Sequence, residues 1–172
     1  MQSTFKYNRS VRVIRGWLIF FMISLFISGL TAIPIETELA FLSRFFSPDT
    51  TIGAWIDRVY VGIIQINAQY PFLSYGYDWL AFAHFVLAVL FIGPYKNPVR
   101  NKWVIAFGII ACLLVIPYAL IAGHFRGIPI NWRLIDCSFG IVGLVPLLIV
   151  YQKVKTIEGI EDFFNEVKAK ET

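Results

Sequence analysis

The hydrophobic positions of this chain gather into four long runs free of Asp, Glu, Lys and Arg, with the charged residues confined to the segments between them. The runs cover residues 16–35, 79–95, 103–123 and 137–152. A bilayer core ~30 Å thick is crossed by about 20 apolar residues of helix. Only helices or closed barrels satisfy the backbone there. The pattern predicts an all-α, polytopic membrane protein with four transmembrane helices, over about 14–35, 78–95, 103–124 and 133–152. A soluble bundle would require a polar outer face on each helix, and these runs have none.

The segment between the first two spans, 34–77, is long for a connection and not polar, so it is expected to carry structure of its own. Over 36–46, Leu39, Phe41, Leu42, Phe45 and Phe46 follow a helical stripe. Ser47-Pro48-Asp49 reads as a turn and helix start. Beyond it, Ile52, Trp55, Ile56, Val59, Ile63 and Ile66 recur at steps of three and four, until Pro71 ends the pattern. One or two amphipathic helices are expected, lying on the outer leaflet or capping the bundle. After the last span, Ile157, Ile160, Phe163, Phe164 and Val167 face away from Glu158, Glu161, Asp162 and Glu166. This predicts an amphipathic tail, 156–172, following a single transmembrane domain, 1–155. Its acidic face suits docking on a protein better than adhesion to anionic lipid. Pro117 and Pro146 lie deep in the third and fourth spans and should kink them.

Charge supplies an orientation. Eleven basic residues fall in the N-terminal segment, the 96–102 loop and the tail, and four fall on the other side, namely Arg44, Arg58, Arg126 and Arg133. The positive-inside rule then predicts both termini in the cytoplasm. The net charge of +4 is thus a topology signal and does not point to nucleic acid. Only 15% of residues are charged, against about 25% in soluble domains. The first run follows a basic stretch, as a secretory signal would, but it is too long and lacks an Ala-x-Ala site, so a retained helix is expected. Cys112 and Cys137 lie inside spans and read as buried thiols more readily than as a disulfide.

Ionisable groups at membrane depth are costly and mark candidate sites. Asp78, His84, His124, Arg126, Arg133 and Asp136 all fall toward the outer ends of their spans and could form one ligand-binding layer. Each also has a structural explanation. Asp78 could cap span two, His84 could bond a neighbouring helix, and Arg126 and Arg133 could reach lipid phosphates. Asp136 could neutralise Arg126 or Arg133. Gly140 and Gly143, with Gly127 nearby, would let span four approach its neighbours closely. Two histidines raise bis-imidazole haem ligation, but their depths differ by ~7 Å on straight helices, so no cofactor is expected. No catalytic residue or metal site is expected either: neither a nucleophile elbow nor a phosphate-binding glycine loop is present.

The stretch 123–140, GHFRGIPINWRLIDCSFG, resembles a segment of uncharacterised bacterial four-helix inner-membrane proteins. More distantly, residues 78–150 resemble the VanZ-like family of small membrane proteins, associated with glycopeptide antibiotic resistance. His84-Phe85 matches that family's His-Phe, and Pro129, Arg133, Asp136 and Gly143 match its later elements. Its Asp-Lys before the histidine is replaced by Leu80-Ala81, and its Asn after the aspartate by Gly140. The resemblance implies a multi-pass protein of the bacterial inner membrane. Recognition of an anionic or lipid-linked envelope component is the leading expectation, with Arg126 and Arg133 taking phosphate or carboxylate. The alternatives are an accessory subunit that docks a membrane-protein partner through 34–77 or the tail, and a small haem- or quinone-binding redox subunit.

Overall fold

A computed structural model describes residues 2–170, and the chain is helical almost throughout, with no strand among the described residues. Residue 1 and residues 171–172, the extremities of the predicted domain and tail, lie outside the described residues. The helices are α1 (Gln2–Ala32), α2 (Ile35–Leu42), α3 (Thr51–Gln69), α4 (Pro71–Leu90), α5 (Ile92–Lys96), α6 (Lys102–Phe125) and α7 (Ile130–Lys170). Four of these units, with α4 and α5 taken together, are long and apolar enough to cross a membrane. The chain is a multi-pass membrane protein. Its outward surfaces agree, for Ile19, Ile23, Ile27, Leu114, Ile141 and Val145 are large, apolar and exposed.

Three boundaries differ from those expected. Pro71 ends α3, as predicted, but it also opens α4 as the first helical residue, where its missing N–H is no loss. Asp78 therefore sits two turns inside α4 and does not cap it. The fourth span begins at Ile130, ahead of Arg133, which moves Asp136 from the first turn to the second. The tail is not a separate helix: α7 runs unbroken for 41 residues, because nothing between Gln152 and Lys155 interrupts helical hydrogen bonding. Pro94 supplies a break that was not anticipated. It cannot donate to the carbonyl of Leu90, and α4 gives way there to the short α5.

The first turns of α1, the last turns of α7 and the α5–α6 turn meet at one end of the bundle, the terminal end. There the Tyr7 hydroxyl lies 3.2 Å from Glu161 Oε1, and Lys102 Nζ lies 2.5 Å from Glu158 Oε2. The acidic face of the tail thus bonds this chain's own α1 and α6, while Phe163, Phe164 and Val167 beyond it stay exposed. The main core lies at this end. Ile14, Leu18 and Phe21 of α1 meet Phe91, Ile105 of α6, and Leu147, Val150, Val154 and Ile157 of α7.

The opposite, capped end is covered by α2 and α3. Thr50 caps α3 by accepting from the Gly53 N–H at 3.0 Å, one residue beyond the predicted turn. The stripe on α3 behaves as its periodicity requires: Ile56 and Ile63 are buried with Leu39 of α2, and Tyr77 and Trp132 pack against them. Arg58 and Gln65 are exposed. The stripe over 36–46 is only half used, since Phe41, Phe45 and Phe46 remain exposed.

A groove between α4 and the α6–α7 hairpin

The spanning helices pack in the order α4–α1–α7–α6, and α4 does not pack closely on either α6 or α7. Glycines set the two tightest crossings. A Cβ on Gly29 would fall 2.9 Å from the Ala81 carbonyl oxygen and from the Cβ of His84, so α1 and α4 touch backbone to backbone. A Cβ on Gly140 would lie 2.5 Å from the Cys112 carbonyl oxygen, which binds α7 to α6 in the same way. Gly143 faces the Cys112 thiol and Phe21. Gly127 has a different role from the one expected of it. At φ +68° it ends α6, with Gly127 N–H bonding His124 O and Ile128 N–H bonding Gly123 O, and no neighbour crowds it.

Because α4 and α6 converge only where Phe91 meets Gly108, the half of the bundle toward the capped end stays open between them. The gap is a cavity of about 280 Å³ floored by α1 and walled by α4 on one side and α6–α7 on the other. Phe20, Phe21, Leu25, Leu87, Phe107 and Phe139 make it apolar, and its polar side chains are Ser24, Ser28, His84 and Cys112. The Ser24 hydroxyl donates to Phe20 O at 2.9 Å, within its own helix. His84 Nδ1 lies 2.8 Å from Leu80 O. A carbonyl only accepts, so Nδ1 carries the hydrogen, and Nε2 is the ring nitrogen left for a ligand.

The six residues singled out by depth do not converge. Asp78 borders a second hollow at the capped end, of about 740 Å³, beside Glu36, Asn67 and Ser74. There Asn67 Nδ2 donates to Glu36 Oε2 at 2.8 Å, and the Ser74 hydroxyl donates to Asn67 Oδ1. That hollow is acidic. His84 lines the groove. His124 and Arg126 are exposed at the end of α6, His124 edge-on to Phe125. Arg133 lies folded across Gly123, with Nη1 donating to Leu120 O at 3.2 Å and Nε buried without a partner. Asp136 is half-buried and shares the helix face of Gly140 and Gly143, one turn nearer the capped end.

The expected ion pair between Asp136 and Arg126 or Arg133 does not form. Among the described residues the one ion pair is Lys102–Glu158. The reason lies in α6: Arg133 finds its seat over Gly123 and its acceptor in a backbone carbonyl, which draws it away from its own helix. His84 and His124 stand on helices that do not pack together, so they do not face each other across one site. Cys112 and Cys137 are both free thiols, and Cys137 Sγ donates to Ile116 O at 3.7 Å. Ser24 and Ser28 stand out in the sequence only by their four-residue spacing on α1. No family model, no curated protein and no solved structure matches the chain.

Proposed function

We propose that this protein recognises a lipid-linked component of the bacterial envelope by taking its hydrocarbon chain into the groove between α4 and the α6–α7 hairpin. The reading places the protein in the inner membrane with both termini in the cytoplasm, so that the groove opens on the outer leaflet. One observation carries it: the helices leave an apolar gap where close packing would otherwise be expected, and an imidazole, that of His84, lines that gap. Ligand sites are mostly apolar, with a few placed polar groups that fix orientation. His84 Nε2 is such a group, and Asp136 stands on the groove-facing side of α7, one turn toward the capped end. Arg133 is committed to α6, so Arg126 alone remains for an anionic headgroup.

The test is mass spectrometry of lipids retained on gentle purification, comparing the wild type with Val142→Trp. Val142 lines the groove and is largely exposed, so the indole fills the gap without entering the core. A lipid species retained by the wild type and lost in the variant, at unchanged thermal stability, is the expected result. Identical lipid profiles would sink the reading, and a stoichiometric second protein in place of the lipid would favour an accessory subunit.

A further inference from the structure

The terminal end holds a third hollow, of about 700 Å³, and its walls are basic. Arg12 and Arg15 approach from α1, Lys96 from the end of α5, and Arg100 from the turn that follows. Asn8, one turn before Arg12 on the same face, adds an amide. The one acid at the rim among the described residues, Glu161, accepts from Tyr7 and is thereby engaged. Among the described residues none of the four cations is in an ion pair. Arg15 is steadied over the ring of Tyr95, with its guanidinium carbon 5.5 Å from the centroid.

A bias of basic residues toward one side of a membrane requires only that they lie in the loops. It does not require two segments far apart in sequence to turn four of them toward one concavity. Arg9, Lys153 and Lys155 share this end of the bundle and stay outside the hollow. Bringing like charges together is uphill unless an anion joins them. The depth of the hollow also points to its occupant. Arg15 immediately precedes the first charge-free run and Lys96 immediately follows the second, so both walls stand at the membrane boundary. Val11, Pro98 and Val99 add an apolar part to the lining, Val11 and Val99 by packing on the main core.

We infer that this hollow is a binding site for a phosphate group, supplied by an anionic phospholipid headgroup. Guanidinium and ammonium donors converging on a phosphate are the recurring means of holding such headgroups between transmembrane helices. The site is separate from the groove, and its test does not depend on what the groove binds.

The experiment uses the full-length protein in nanodiscs of phosphatidylcholine doped with phosphatidylglycerol, with bound phosphatidylglycerol counted by native mass spectrometry. Arg12→Gln/Arg100→Gln should weaken binding roughly thirtyfold, the effect of two removed surface charges. Arg9→Gln/Lys153→Gln, the same charge loss outside the hollow, should leave it within a small factor of wild type. Glu161→Gln removes the rim acid and should tighten binding, which keeps the test decisive if the double arginine variant folds poorly. Binding of soluble pyrophosphate, lost in Arg12→Gln/Arg100→Gln, with no phosphatidylglycerol retained by the wild type would overturn the lipid source and leave a free phosphate as the ligand. Equal losses in both double variants, or none in either, would overturn the site itself.

Discussion

Replacing Gly140 by Ala is the sharpest test of how the bundle is held together. The new Cβ would fall 2.5 Å from the Cys112 carbonyl oxygen and 3.3 Å from the Val115 Cβ, where ordinary contact begins at 3.4 Å. The obstructing atom is backbone and cannot rotate aside, so α6 and α7 must part by about 0.9 Å, the difference between 3.4 and 2.5 Å. A gap of 0.5–1 Å forfeits about a quarter to a half of each dispersion contact it opens. Lipid-facing helices have no hydrophobic force to close it again. Overpacking of this kind costs about 1–3 kcal/mol, and a backbone obstacle places it at the upper end. Helix propensity returns ~1 kcal/mol. Gly159→Ala is the control, since no atom lies within 4 Å of its new Cβ and only the propensity gain remains. The two variants should therefore differ by about 3 kcal/mol. Unfolding by SDS titration in mixed micelles, followed by tryptophan fluorescence, reads the difference. If Gly140→Ala unfolds at the same point as Gly159→Ala, the close crossing of α6 and α7 is refuted.

Two further outcomes are expected. In a background lacking Cys112 and Cys137, an impermeant thiol reagent added outside intact cells should label Gln65→Cys and spare Asn97→Cys, and the reverse pattern would invert the orientation proposed for the groove. Arg133→Ala should cost ~1–2 kcal/mol through lost packing on Gly123 and a lost bond to Leu120 O, whereas Asp136→Asn should leave stability unchanged or raised. Their double variant should be additive to within ~0.5 kcal/mol, and stronger coupling would mean that the ion pair absent from the structure forms in the membrane.

Much of the architecture is legible in local chemistry. Charge-free runs give four spans because the cost of a charge in lipid leaves no other reading, and the three- and four-residue steps of Ile52 to Ile66 give α3 its buried face. Pro71 shows where such reasoning stops. A proline bars the interior of a helix but suits its first residue, so it marks a boundary without saying on which side the next helix lies. Lys153 and Lys155 look like the end of a span, yet they are good helix formers, and hydropathy has no bearing on whether the helix continues past the membrane. The groove was beyond reach for a different reason. It exists because α4 packs on α1 and not on α6, and neighbour order among four helices of similar hydropathy is carried by small residues such as Gly29 and Gly140, whose partners lie far away in sequence.

The six polar residues illustrate the same limit from the side of function. Depth along a helix is readable from sequence, which is why they were grouped; azimuth relative to neighbours is not, and azimuth disperses them. Much of the stretch 123–140 is then accounted for by the turn it builds. Gly127 supplies the positive φ that ends α6, Gly123 makes room for the stem of Arg133, and Gly140 admits the carbonyl of Cys112. A segment can hold its pattern for these reasons without touching a ligand. What the hairpin does not need is Asp136, a half-buried carboxylate without a hydrogen bond or ion pair among the described residues, on the face of α7 that borders the groove. A carboxylate left unpaired at membrane depth is a cost the fold gains nothing from. With His84 lining the groove and Gly140, one turn on from Asp136, also in its wall, Asp136 is therefore the residue whose replacement should separate stability from lipid retention.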